Sequence, residues 1–271
     1  MVQLGLILLA ALGALIALAW AMGAREPVFA ISRRGPHWFV ALRRAKPGVL
    51  DLATDVKVAW SSSADFAFIG EETYWTDFLI LSGGAENATP LTLSGDVQDA
   101  FIARVKLARP PKLALGVLDL LIALGVLSRP AGPVIKDASV LGQNAAHLPS
   151  NESIAALLSR PEAYAPAMVN FLHYQPGEGR AAYARYGRVA LRTVYRTGGH
   201  LLFYGRILEV LRAASAGPCV GAWDDVAAMR YNRPEAILSM EHAPDYRASL
   251  QHRDAGLLRT VVIASIPGGQ A

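Results

Sequence analysis

From Met1 to Ala24 the chain carries no charged side chain: MVQLGLILLAALGALIALAWAMGA. At about 1.5 Å of rise per residue, a helix of that length reaches roughly 36 Å, enough to cross a bilayer. Such a segment has three fates: it stays in lipid, it is cleaved as a signal, or it is buried in protein. Ala19-Trp20-Ala21 fits a small-x-small cleavage pattern, but no Lys or Arg precedes the run. The run also exceeds the roughly 7 to 15 residues of a signal-peptide core. An uncleaved single-pass anchor is therefore the first expectation, with a cleaved signal and a buried helix as the alternatives. Arg25, Arg33, Arg34, Arg43, Arg44 and Lys46 follow it, against Glu26 alone before Asp51. The positive-inside tendency then puts the body of the protein in the cytoplasm, at the inner membrane of a bacterium.

The charge pattern narrows the partners. Up to Ala165 there are 14 basic and 14 acidic residues, and from Pro166 onward 12 and 8, so the whole excess of +4 belongs to the C-terminal part. Arg180, Arg185, Arg188, Arg192 and Arg196 lie on one predicted helix. The last four share a face at three- and four-residue spacing, which reads as a solvated face or one turned to anionic headgroups. They are not interleaved with aromatics or set in a groove-binding motif, so nucleic acid is not an expected partner. Cys219 is the only cysteine, which excludes an internal disulfide; no His lies near it in sequence to make it a nucleophile.

Along the chain, 1–24 is the anchor, 25–112 an α+β region, 113–150 an apolar helix and linker, and 151–271 the part with the clearest grammar. In the first region PVFAIS reads as a strand and GPHWFVALRRA as a short helix. DVKVAWSSSADFAFIGEETYWTDFLILSGG holds two or three strands, and GDVQDAFIARVKLA an amphipathic helix opened by Asp96. Leu113 to Leu127 is apolar apart from Asp119, too short to span comfortably, and so either buried or interfacial. In the last region AMVNFLHY is a strand, and Glu178 to Thr197 a helix closed by Gly198-Gly199 in a left-handed cap. HLLFYGRILEVL and WDDVAAMRY are strands. NRPEAILSM opens a helix with Asn232 and Glu235 as a capping box, PDYRASLQHRDAGL resumes it after Pro244, and RTVVIASI is the last strand. The order is βαββαβ, a ferredoxin-like plan.

From Asn151 to about Ile266 the chain resembles the bacterial family catalogued as domain of unknown function 1330, in the dimeric α+β barrel superfamily. The resemblance rests on SNESIAALLSRPEAYAPAMVNFL, GEGRAAYARYG, YGRIL, WDDVAAMRYNRPEAILSM and PDYRASLQHRDAGL, in order and at fitting spacing. It implies a sheet with two helices on one face and a second sheet packed on the other to close a barrel. Within the wider superfamily are cofactor-independent monooxygenases of aromatic substrates and haem-degrading enzymes, so the fold alone assigns no chemistry. The second sheet comes either from a homodimer or from the N-terminal region as an internal pseudo-dimer. For the latter, YWTDFLILSGG followed by GDVQDAFIARVKLA echoes AWDDVAAMRYN followed by PDYRASLQHRDAGL.

In a sheet covered on both faces, polar strand residues need partners or a ligand. Period-two alternation puts Met168, Asn170 and Leu172 on one face, and Leu202, Tyr204 and Arg206 on one face of the next strand. Asn170, Tyr204, Arg206 and Tyr231 are thus expected to line one interior cavity for a small polar or aromatic ligand, or else to satisfy one another. His252, beside Arg253 and Asp254, is the candidate general base. No spacing of His, Cys or carboxylates reads as a metal site, and no cofactor motif is found. N-x-S/T sequons stand at Asn87 and Asn151. The resulting expectation is a membrane-anchored α+β barrel protein that binds a small aromatic or lipid-like molecule. The alternatives are a cofactor-independent oxidase, monooxygenase or isomerase, and a dimerisation module of a membrane complex.

Overall fold

In the computed structural model, which describes residues 2–86, 88–93, 95–142 and 144–268, the chain is a mixed α+β protein built on one large antiparallel sheet. The strands are β1 (His37–Arg44), β2 (Asp51–Leu52), β3 (Val56–Ile69), β4 (Asp77–Gly83), β5 (Leu91–Thr92), β6 (Val97–Leu107), β7 (Ala167–Tyr174), β8 (His200–Arg212), β9 (Asp225–Arg230) and β10 (Leu257–Pro267). The helices are α1 (Val2–Ala24), α2 (Lys112–Ala123), α3 (Asn151–Leu158), α4 (Gly179–Arg196), α5 (Ala236–Ser239) and α6 (Pro244–Gly256). Eight strands close into a barrel in the order β1-β4-β3-β10-β7-β9-β8-β6, while β2 and β5 pair separately. Strands of 25–112 and of 151–271 therefore share one barrel and do not form two bodies. Within each set of four, numbered along the chain, the order is the same: fourth, first, third, second.

Two segments expected to be helical are strands. GPHWFVALRRA gives β1, in which Trp38 to Leu42 are all buried, and GDVQDAFIARVKLA gives β6. With both faces covered, the apolar residues run on without a period, so spacing could not tell strand from helix. In β6, Phe101, Ala103 and Val105 point into the barrel while Ala100 and Ile102 point out. The echo between YWTDF and AWDDV does fall on equivalent third strands, β4 and β9. Beyond that it fails, because β6 stands where the matching segment is helix α6. The expected strand PVFAIS is a single 3-10 turn at Pro27–Phe29.

The barrel interior is filled with aromatics. The Phe171 ring lies 5.3 Å from Phe39, 5.7 Å from Phe101 and 5.5 Å from Trp223, each edge-on, and Trp60 packs at 5.0 Å from Phe203. Edge-to-face contacts of this kind suit the charge distribution of the rings. The outside of the barrel is covered in two ways. Over β10, β7, β9 and β8 lie α4 and α6. Over the other four strands, Leu50, Leu52, Leu91 and Leu93 from the β2–β5 connections cover Trp38, Val40, Leu79 and Leu81.

The cap expected after α4 is present: Gly198 has φ +83°, and the Gly199 N–H donates to Val194 O at 2.9 Å. The capping box at Asn232 is not. Helix α5 is one turn with Glu235 before it and no side-chain cap, and Asn232 instead stands against Gly198.

The stretch Leu6–Ala24 of α1 is the one helix among the described residues long and apolar enough to cross a membrane. Its leucines and isoleucines from Leu6 to Ile16 are exposed, and only its last turns pack, against α2. The two helices cross backbone to backbone: a Cβ on Gly116 would stand 1.5 Å from Ala19 O, and one on Gly23 1.9 Å from Lys112 O. Small residues permit this approach. Gly to Ala in a helix interior ordinarily stabilises by about 1 kcal/mol. Here Gly116→Ala is expected to do the opposite, costing about 1–3 kcal/mol by overpacking, with faster proteolysis of the segment around α2 as the readout.

Candidate functional site

The polar faces of β7 and β8 point outward to the helices rather than into the aromatic barrel. Cross-strand pairing sets Val262, Asn170, Ala227 and Tyr204 in one row across β10, β7, β9 and β8. The neighbouring row contains Met168 and Met229. These rows floor a cavity of about 460 Å³ roofed by Tyr183, Tyr186, Ala190 and Val194 of α4 and by Tyr246 and Arg253 of α6. Leu238 of α5 and Met240 and Glu241 of the 3-10 turn after it close one side, and the linker adds Leu141, His147 and Leu148. Helices α4 and α6 touch at one end, where a Cβ on Gly256 would lie 2.6 Å from Tyr183 N.

Three of the four expected ligand residues meet here: Asn170, Tyr204 and Tyr231 line the cavity. It lies under the helices, not between sheets as the interior reading has it. Arg206 does not join them. It is exposed on the outer face opposite Lys106, and Leu202, assigned to its face, points inward because a bulge interrupts β8 between Leu201 and Phe203. His252 is half-buried on α6 and outside the lining. Tyr246, Leu250 and Arg253 follow an i, i+4, i+7 stripe, so the helix aims Arg253 inward instead. That spacing is legible in the sequence. His147, fully buried in the linker with its Nδ1 3.2 Å from Asp254, carried no periodic signal.

Behind the floor, the carboxylate of Asp225 is buried. Arg180 Nη1 donates to both of its oxygens at 2.8 Å, Tyr174 Oη donates at 2.7 Å, and Tyr204 Oη also donates. Asp224 next to it binds His173 Nδ1 at 2.8 Å, which gives that strand histidine its partner. Burial, reinforced by neighbouring charges, raises both Tyr174 and Tyr204 far above the ordinary phenol range, so both remain donors. Burial likewise pushes Glu241 up to about 7. At Arg253, Nε donates to Asp254 at 3.1 Å, while Nη2 has no partner among the described residues, nor does Glu241 Oε2. Cys219 is buried and its thiol pushed up to about 12, so it is no nucleophile. Among the described residues no three His, Cys, Asp or Glu converge as a metal site. Asn151 Oδ1 accepts from Ala138 N–H, and the Asn87 sequon lies outside the described residues.

A second titratable group ties the α1 end to the barrel. Glu26, buried, accepts from Tyr195 Oη at 2.7 Å and from His200 Nδ1 at 3.0 Å. Its burial opposes ionisation, but the His200 and Tyr195 hydrogen bonds outweigh it and hold the carboxyl below its usual value. The bond to Glu26 raises His200, against its own desolvation. Burial and the nearby Glu26 push Asp119 of α2 up to about 7.

No family model and no curated protein matches the chain. Among solved structures, a protein of unknown function from Rhodopseudomonas palustris is 27% identical, with a TM-score of 0.38, covering 43% of this chain and 92% of its own. The methylated form of that protein gives 26%, 0.39, 45% and 93%.

Removing Arg180 leaves the Asp225 charge buried with two phenols. Because Arg180 is itself partly exposed, Arg180→Ala is expected at the low end of such losses, about 3 kcal/mol, in chemical denaturation. His200 and Asp119 both have folded values raised above their unfolded ones. Their contribution is complete below the unfolded values and fades as pH rises through the folded ones. The melting temperature should therefore fall from about pH 4 to about pH 7 through Asp119, and further above about pH 6.5 through His200, and Asp119→Asn should flatten the lower part of that fall.

Proposed function

We propose that this is a membrane-anchored binding protein whose cavity beneath α4 and α6 takes a small aromatic or lipid-like molecule. The observation that carries the reading is the cavity itself: about 460 Å³, apolar for most of its lining, with a few convergent polar groups. Ligand sites commonly have that composition. Arg253 and Glu241, both largely buried, are among those polar groups.

The same reading takes the barrel as an internal pseudo-dimer of the dimeric α+β barrel type, with the C-terminal half related to the domain of unknown function 1330 family. The repeated strand order supports this, as does a C-terminal half that runs β7-α4-β8-β9-α6-β10. The anchor reading rests on the exposed, uncharged α1 and on the basic residues after it, which favour a cytoplasmic body. The enzyme alternative draws less support from this cavity, because His252 is outside its lining.

Native mass spectrometry of the detergent-purified full-length protein tests the reading. The expected result is a monomer carrying a small molecule, and loss of that molecule in Ala227→Phe, which fills the floor between Asn170 and Tyr204. A protein that binds nothing, with Ala227→Phe simply more stable, would overturn it.

A further inference from the structure

The shape of the cavity selects among ligands. It touches six neighbouring strands in succession, from Phe68 and Ile69 on β3, across β10, β7, β9 and β8, to Ala108 and Pro110 just past β6. Adjacent strands are about 4.8 Å apart, so five steps make it about 24 Å long. A volume of about 460 Å³ spread over that length makes the cavity long and narrow. A compact ring system of equal volume would call for a shorter and wider space.

The two ends differ in chemistry. At the β3–β10 end stands Arg253, 8% exposed, with its unpartnered Nη2 beside Gly142 and Leu148. At the β8–β6 end the lining residues Leu191, Leu201 and Tyr204 pack in one cluster with Leu115, Leu118 and Ile122 of α2. That end abuts the packed α1–α2 pair, where Leu113, Val117 and, just past α2, Leu124 are exposed. The charged end thus lies remote from the anchor and the apolar end against it.

We propose, resting on the binding reading above, that the cavity holds a long-chain carboxylic acid. Its carboxylate pairs with the guanidinium of Arg253, a lining residue, and its chain runs over Asn170, Ala227 and Tyr204 to end against α2. A buried guanidinium N–H calls for an acceptor, and a charged one binds most strongly. A single negative charge suits the place better than a phosphate dianion, because Asp254 and Glu241 already stand near Arg253.

Full-length protein in detergent, stripped of bound lipid, is titrated with palmitate, hexadecan-1-ol and 1-naphthoate. Palmitate is expected to bind one to one, at least about tenfold more tightly than the alcohol. Arg253→Met should weaken palmitate at least about tenfold and the alcohol by much less, so that the preference for the acid is lost. Arg253→Lys, which keeps the charge, should keep the preference for the acid and guards against a mere folding defect. Equal affinity for palmitate and hexadecan-1-ol, or palmitate binding unchanged in Arg253→Met, would overturn the proposal. Tighter binding of 1-naphthoate than palmitate, abolished by Ala227→Phe, would overturn it while sparing the broader binding reading. Failure of all three probes overturns both.

Discussion

Closure of the sheet is the constraint on which the other features rest. The two sets of four strands meet along β3–β10 and β6–β8, and only that pairing removes four exposed edges at once. It also creates the core. Phe39 and Phe78 from the first set interlock with Phe171 and Phe203 from the second, so neither set encloses its aromatic face without the other. The contacts that stabilise the centre are therefore long-range in sequence, with the linker and α2 carried on the outside.

Aromatics fill the inside, the cavity lies on the outer surface, and there the two sets differ. The β2–β5 connections lie flat on their strands through leucines. Helices α4 and α6 meet at the Gly179–Gly256 contact, and tyrosines, long and rigid, support them elsewhere. Arg180 pins the first turn of α4 to Asp225. A roof fixed at one end and propped by large side chains above an alanine in the floor leaves a gap below it.

Much of the C-terminal part was legible from its sequence. Period-two alternation and the Pro-Gly punctuation located β7, α4, β8, β9 and β10, and Gly198 marked the end of α4. The N-terminal part was less so: β1 is buried on both faces, and so gave an apolar run with no period to read. Asn170, Tyr204 and Tyr231 were found because polar side chains in covered strands are conspicuous. Arg206 shares the outer face of Tyr204 but is exposed beyond the helix layer; it is Leu202 that the bulge, invisible in spacing, turns inward. His252 is the general-base candidate by its chemistry, whereas the helical stripe from Tyr246 points to Arg253. Asp225 and Arg180 are joined across a strand and a helix, and their meeting depends on how α4 sits on the sheet.

The repeated strand order on a single chain has a further consequence. When identical subunits make a barrel, every substitution appears twice, and whatever one sheet carries on its outer face the other carries too. Covalent joining lifts that symmetry and fixes the two halves at equal stoichiometry, whatever the protein concentration. One set can then give up its helices and serve as scaffold, while the other keeps its helices and cavity. The cavity under α4 and α6 belongs to one set, while leucines of the β2–β5 connections lie on the other, so the two sets of one barrel differ in what they present on their outer faces.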